Sequence, residues 1–293
     1  MSRRQPALEQ KLARLSADEM VAALGIRSGG PTVRRVLGWP FWMASRPFGR
    51  TLAQFDLDTR AAGLSLAATS ALERFGVRLV ASGECPATGP LVVLSNHPGA
   101  YDALALMSAA GRRDLLVIAA DWTFFRALPG VSQRLLFVSS RTAERALVLR
   151  RAYAHLRRGG ALLHFAAGAI EPDPDFLANG TAPLAAWEAG AVGLVRAAAR
   201  VSGLVVVAGV RGVHSPRAKR LLVTRWAEKR GVTTMAPLVQ ILAHYTDVNV
   251  RVTFEAPEPA TAVAAMGDAR RIVEHLRGAM LHALGANGTR APS

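Results

Sequence analysis

The sequence is most informative first for what it has little of. Cys85 is the only cysteine among 293 residues. No disulfide can close within the chain, which fits a reducing compartment. Cys85 stands in the turn-like run Gly83-Glu84-Cys85-Pro86, where nothing nearby in sequence marks an activated thiolate, so an inert thiol is expected. Aromatic residues make up only 6% of the chain against 51% hydrophobic residues overall, so the core must be built mainly of Ala, Leu and Val. No apolar run approaches the roughly 20 residues that cross a bilayer. Residues 181–210 come nearest, but Glu188, Arg196 and Arg200 interrupt them, and they read as a helix followed by a buried strand. The N-terminal Met-Ser-Arg-Arg leads into polar residues without the apolar stretch of a secretory signal.

Negative charge is also scarce. Lys and Arg number 36 against 21 Asp and Glu, a formal charge of +15. Such an excess attracts polyanions: nucleic acid, an anionic membrane or phosphorylated substrates. Lys11, Lys219 and Lys229 are the only lysines, so 33 of the 36 cations are Arg, and a single Arg is weak evidence of a phosphate contact. Residues 1–50 and 211–230 each carry a net +6, which makes these two segments the candidate contacts with an anionic surface. The first contains Arg34-Arg35-Val36-Leu37-Gly38-Trp39-Pro40-Phe41-Trp42-Met43, whose cations and aromatic rings suit either a headgroup layer or a helix end packed on the main domain.

The length suits one large domain, and three segments are expected. They are a basic N-terminal arm over 1–50, possible membrane contact included, a main domain over 51–285, and a polar tail over 286–293. The pattern predicts a long helix over 51–75, weakened by Gly63. Short β-rich runs follow at 77–81, 91–94, 115–118, 136–138, 161–165, 204–210 and 249–254. Helical stretches separate them. The clearest covers 142–158, where Ala146, Leu149, Ala152, Tyr153 and Leu156 share a face and Gly159-Gly160 ends it. A last helix is expected over about 262–284. Apolar strands alternating with helices predict an α/β fold, its central sheet mostly parallel or mixed and covered on both faces.

Chemistry concentrates in Leu91-Val92-Val93-Leu94-Ser95-Asn96-His97-Pro98-Gly99-Ala100-Tyr101-Asp102. A buried strand here delivers His97 at its carboxyl end, where α/β sheets commonly place ligands. On a regular helix Asp102 would point away from His97, but Pro98-Gly99 interrupts the geometry and lets it fold back. A carboxylate beside an imidazole makes a general base. A capped turn, half a metal site and a satisfied core histidine are the competing readings. His155, His164, His214 and His244 show no ligand spacing, so no metal is expected.

Asn96-His97, four residues and then Asp102, directly after an apolar strand, resembles the first signature block of the glycerolipid acyltransferases, which include the 1-acylglycerol-3-phosphate acyltransferases. The likeness extends over roughly residues 75–256. Leu136-Phe137-Val138-Ser139-Ser140-Arg141 stands where the family has its second block, a strand followed by Arg. Phe165-Ala166-Ala167-Gly168-Ala169-Ile170-Glu171 stands where the third reads F-P-E-G-T-R-S, and only Phe165 and Gly168 are kept. Val205-Val206-Val207-Ala208 matches the fourth block without its Pro. The family's third-block Glu and Arg are thought to bind a phosphorylated glycerol acceptor, so their loss puts that acceptor in doubt. Glu171 either replaces the lost carboxylate or belongs, with Pro172-Asp173-Pro174, to a turn bearing an exposed acid.

The resemblance implies a glycerolipid-acyltransferase-like fold and direct transfer of a fatty acyl group. The donor would be acyl-CoA or acyl carrier protein, and the acceptor a hydroxyl of a lysophospholipid or related lysolipid. His97 would be the base and Asp102 its orienting carboxylate. Asn96, Gly99, Arg141, Phe165, Gly168 and Glu171 would line the substrate site, Arg141 meeting a phosphate and backbone N–H groups near Gly99 or Gly168 an oxyanion. No cofactor is implied. The implied location is cytoplasmic, peripheral on the inner face of the cell membrane.

The alternative is a catalytically inactive, membrane-associated lipid-binding protein on the same fold. A serine hydrolase is disfavoured because no G-x-S-x-G occurs; Gly63-Leu64-Ser65-Leu66-Ala67 lacks the final Gly. Nucleic-acid binding has charge in its favour but no aromatic-interleaved basic strand, and no G-x-G-x-x-G follows a strand for a dinucleotide.

Overall fold

The computed structural model describes residues 4–23, 31–138, 142–177, 184–187, 189–232 and 235–285; for residues 4, 19–23, 31–41, 142–144 and 189 it describes the backbone alone. The chain opens with α1 (Arg4–Ala23), α2 (Pro31–Ala62) and α3 (Leu64–Arg74). β1 (Arg78–Ser82), β2 (Leu91–Ser95), α4 (Asp102–Ala110) and β3 (Leu116–Ala120) follow. Two short helices, α5 (Thr123–Arg126) and α6 (Pro129–Ser132), precede β4 (Leu135–Val138). Then come α7 (Thr142–Leu156), β5 (Ala161–Phe165), α8 (Ala189–Ala199) and β6 (Leu204–Arg211). The remainder is α9 (Pro216–Arg220), α10 (Leu222–Glu228), α11 (Met235–Leu242), β7 (Asn249–Phe254), β8 (Glu258–Pro259), α12 (Ala260–Ala264) and α13 (Ala269–Ala283).

The strands form one sheet in the order β1-β7-β6-β2-β5-β3-β4, with β8 beside β6. Pairing is parallel except where β7 and β8 run antiparallel to β6. This is the mixed, mostly parallel sheet that the alternating strands and helices predict. β2 lies at its centre, hydrogen-bonded to β5 on one side and β6 on the other, and all five of its residues are buried. Its side chains alternate between two cores. Leu91 and Val93 join the apolar cluster that holds Leu64, Leu72 and Leu106 from α3 and α4, with Phe75 just after α3. Val92 and Leu94 join the opposite cluster with Leu156, Val195, Leu276 and Met280 from α7, α8 and α13. A strand covered on both faces must be apolar at every position, which is why β2 reads as an unbroken hydrophobic run.

Three boundaries differ from those expected. The helix predicted over 51–75 is two helices, and the first begins at Pro31. Gly63, at φ 88°, supplies the break between them, in a conformation that strains any residue with a Cβ. α2 therefore runs through residue 50, and a cut there would divide a helix whose Leu52, Ala53 and Phe55 are core residues. α1 packs closely on α2: a Cβ on Gly49 would lie 2.7 Å from the Glu9 carbonyl oxygen. The last helix is also two, because Gly267, at φ 104°, ends α12, and Asp268 caps α13 by accepting from the Arg271 N–H at 2.9 Å. β8 was not expected; two residues carry no legible strand pattern. The aromatic run of the N-terminal arm falls in α2, with its side chains through residue 41 outside the description, as is the tail over 286–293. No helix among the described residues is long and apolar enough to cross a membrane.

Candidate active site

The site forms where β2 ends. The β2–β6 ladder closes at the pair Ser95 and Ala208. One residue later the Asn96 side chain takes over the pairing: its Oδ1 accepts from the Val210 N–H and its Nδ2 donates to the Val210 carbonyl, both at 2.8 Å. An amide side chain thus imitates one rung of backbone, and the main chain is free to turn away from the sheet. Asn96 is fully buried, and both ends of its amide are spent on this rung, so it holds the strand end. Beyond it, Gly99 at φ 84° and Ala100 at φ 51° are consecutive left-handed residues. Together they reverse the chain sharply enough to bring Asp102, the first residue of α4, back under His97.

His97 Nδ1 lies 2.6 Å from Asp102 Oδ2. The same oxygen accepts the Gly99 N–H at 2.7 Å, and Oδ1 accepts the Ala103 N–H at 2.5 Å. The carboxylate is therefore held from three directions, and Nδ1 is the nitrogen that donates to it. Nε2 is left with the lone pair, and no described residue hydrogen-bonds it. The His97 side chain is 29% exposed while that of Asp102 is 2% exposed, an open base on a buried anchor. Phe165, the last residue of β5, stacks on the imidazole with ring centroids 4.1 Å apart and planes 26° from parallel. Partial burial by itself lowers the imidazole pKa, but the charge and hydrogen bond of Asp102, with the charge of Glu171, outweigh it and leave His97 above its ordinary value.

Glu171 is tied to the backbone of His97. Its Oε2 accepts the His97 N–H at 2.8 Å, its own N–H donates to the His97 carbonyl at 2.7 Å, and Oε1 accepts the Ala185 N–H at 2.8 Å. Burial pushes its carboxyl above the usual range, against the opposing pull of the two N–H donors. The exposed-acid reading of the following turn fails. Asp173 is buried, accepting from the Gly212 N–H at 2.9 Å and the His214 N–H at 3.1 Å. Residues 171–175 are thus a strap sewn across the ends of β2 and β6. The sequence carried no signal for this, because the partners are backbone groups.

The two glycines of the expected substrate site have partners within the protein. The Gly99 N–H is taken by Asp102, and the Gly168 N–H by the Phe165 carbonyl at 3.1 Å. Both bonds hold the loops in shape. Gly168 at φ 63° makes the tight turn after β5. Arg141 lies outside the described residues. Cys85 is held by burial at a pKa of about 11, opposed by nearby Arg112, so its thiol is not an activated nucleophile.

His164, next to Phe165 on β5, points to the opposite core. Its Nε2 is buried without a partner, and burial lowers its pKa to about 4. A depressed imidazole stabilises the fold above its unfolded value of 6.5 and loses that contribution as pH falls toward 4. The loss amounts to at most about 3 kcal/mol. Denaturant titrations at pH 7 and pH 4.5 should show this loss in the wild type and a smaller one in His164→Leu.

Neither a family model nor a curated protein sequence matches the chain. Among solved structures, the chain is similar to the crystal structure of the 1-acyl-sn-glycerophosphate (LPA) acyltransferase PlsC from Thermotoga maritima. The identity is 12%, over 96% of this chain and 98% of that one, with a TM-score of 0.48.

Proposed function

We propose that the chain is an O-acyltransferase that moves a fatty acyl group from a thioester, acyl-CoA or acyl carrier protein, to a hydroxyl of a lysophospholipid or related lysolipid. The observation that carries this reading is the 2.6 Å contact between His97 and a buried Asp102 at the open end of the central strand. Its support in sequence is the resemblance of Asn96-His97 to Asp102, and of the later blocks, to the glycerolipid acyltransferases. A binding module has no use for a base whose tautomer is fixed by a carboxylate already accepting two backbone N–H groups.

The chemistry follows from the protonation pattern. Nε2 removes the proton from the acceptor hydroxyl as its oxygen attacks the thioester carbonyl carbon. The imidazolium so formed is stabilised by Asp102. The C–O bond forms, the tetrahedral oxyanion collapses, the C–S bond breaks, and the proton on Nε2 passes to the thiolate. No acyl-enzyme is required. Phe165 keeps the ring from turning, and Glu171 fixes the backbone from which it projects.

The test is to incubate the purified protein with acyl-CoA and a panel of lysolipids, following free thiol and acylated product by mass spectrometry. Equal amounts of thiol and acylated lipid are expected; no product across long- and medium-chain donors of either thioester type overturns the reading. The pH profile gives a second check. Only the neutral ring accepts a proton, so kcat/KM should rise with pH through a midpoint above 6.5, the ordinary imidazole value that Asp102 and Glu171 raise. In Asp102→Asn the raising charge is lost while burial stays, so the midpoint should move down. An Asn NH2 must also face one of the donors that now meet the carboxylate, and the wrong tautomer should lower the plateau by roughly 10³–10⁴-fold. A profile unmoved by the substitution would assign the titration to another group.

A further inference from the structure

α10 is a helix with its faces reversed. Thr224 and Ala227 are buried, while Leu222, Val223 and Trp226 point outward, Leu222 82% and Trp226 53% exposed. The three are neighbours on one helical face, at spacings of three and four. With Arg225 and Lys229 they line an open depression. Large apolar side chains grouped this way on a surface mark a place where something else is met.

The charges around them say what. The Arg230 guanidinium lies 3.8 Å over the Trp226 ring. Arg220, Arg225 and Lys229 are exposed and make no ion pair with any described residue. Glu228, the one acid within α10, is already occupied by Lys219. A second copy of the chain would bring two such basic surfaces together, and their repulsion argues against it. A nucleic acid would use the cations but has no seat for Leu222 and Val223. An anionic bilayer uses both: apolar side chains and an indole enter the headgroup layer while Arg and Lys meet lipid phosphates.

The location adds to this. α9 and α10 follow the carboxyl end of β6, which runs parallel to β2, so they stand at the edge of the sheet where His97 projects. Trp122 after β3, and Ile170 and Phe176 after β5, are also exposed and follow strands that end at that edge.

We propose that this edge of the sheet, led by α10, is the face on which the protein lies on an anionic membrane, with Leu222, Val223 and Trp226 inserted and Arg225, Lys229 and Arg230 on the lipid phosphates. The proposal stands apart from acyl transfer. His97→Ala is expected to bind vesicles like the wild type, so either reading can fail alone.

Full-length protein should be sedimented with vesicles of phosphatidylcholine alone or mixed with phosphatidylglycerol. Binding is expected on the mixed vesicles only, weakening as salt is raised. Leu222→Ser/Trp226→Ser and, separately, Arg225→Glu/Lys229→Glu should each reduce it at least tenfold, with circular dichroism and melting unchanged because all four side chains are exposed. A wild type that ignores the mixed vesicles, or either double variant binding like the wild type, overturns the proposal. So does a wild-type dimer in sedimentation velocity that the apolar double variant converts to monomer without any vesicle binding, which would assign the face to a second copy. Retention on RNA in place of vesicles would overturn it in favour of nucleic acid.

Discussion

Replacing His97 with alanine is expected to reduce acyl transfer by roughly 10²–10⁴-fold while the protein stays folded, the scale on which a positioned general base contributes. The fold should survive because Asp102 keeps two of its bonds, to the Gly99 and Ala103 N–H groups, when the imidazole is removed. Asn96 and Glu171 hold the strand end and the strap through bonds that the His97 side chain does not share. Thiol release from acyl-CoA, measured with and without acceptor, together with a melting curve, reads both halves of the expectation. His97→Gln separates shape from basicity, since Gln can still bond to Asp102 but takes up no proton; it should be as inactive as alanine. Near-wild-type turnover in either variant would remove the base from the mechanism. The lipid-binding alternative makes the opposite forecast, that wild type and variant alike release no thiol.

The second large effect lies at the other end of the sheet. Arg112 is 2% exposed, the largest fully buried side chain among the described residues. Its Nε and Nη2 grip both oxygens of Asp114 at 2.8 and 2.7 Å. Nη1 donates to the Pro86 carbonyl at 2.9 Å, and Nη2 also to those of Gly89 and Gly159 at 2.9 and 3.0 Å. One guanidinium therefore ties together the loops that enter β2, β3 and β5. Arg112→Met should destabilise the fold by about 3–5 kcal/mol, because it strands the three carbonyls at about 1–3 kcal/mol each, while Asp114, with its side chain 42% exposed, passes to water. That is a large share of the 5–15 kcal/mol of a typical domain, and should lower Tm by roughly 10 °C. Lys is not a remedy: a single ammonium cannot spread its donors over four acceptor groups in different directions. Activity per folded molecule should persist, since the loops tied by Arg112 precede the strands whose far ends carry the site. A Tm within a degree or two of wild type would show that water satisfies those loops equally well.

Arg112 also shows where legibility ends. With 33 arginines, none stands out in sequence, and nothing local distinguishes the fully buried Arg112 from exposed Arg113. Its role depends on three loops meeting. The strand runs, by contrast, were legible to within a residue or two: the central ones because a strand apolar on both sides admits few other readings, and β7 because its buried and outward residues alternate. Helix ends were less so. Pro31–Ala62 crosses the expected boundary at residue 50, and Gly63 and Gly267 break helices that periodicity alone continues. In the site, His97, Asp102 and Phe165 lie together. Asn96, Gly99 and Gly168 instead spend their polar groups within the protein.

What the sequence determined by itself is what local chemistry can encode: alternating apolar strands and helices, one isolated cysteine, a basic surplus in two segments, and an imidazole and a carboxylate five positions apart after a buried strand. Only the tertiary structure decided that this carboxylate turns back beneath the ring, that Glu171 clasps the backbone of His97 from 74 residues away, and that α10 faces Leu222 and Trp226 outward. The physical reason is the same in each case. Residue type sets which bonds a group can make, but a hydrogen bond or a buried face exists only once distant segments have been brought to within contact, and that is settled by the packing of the whole sheet.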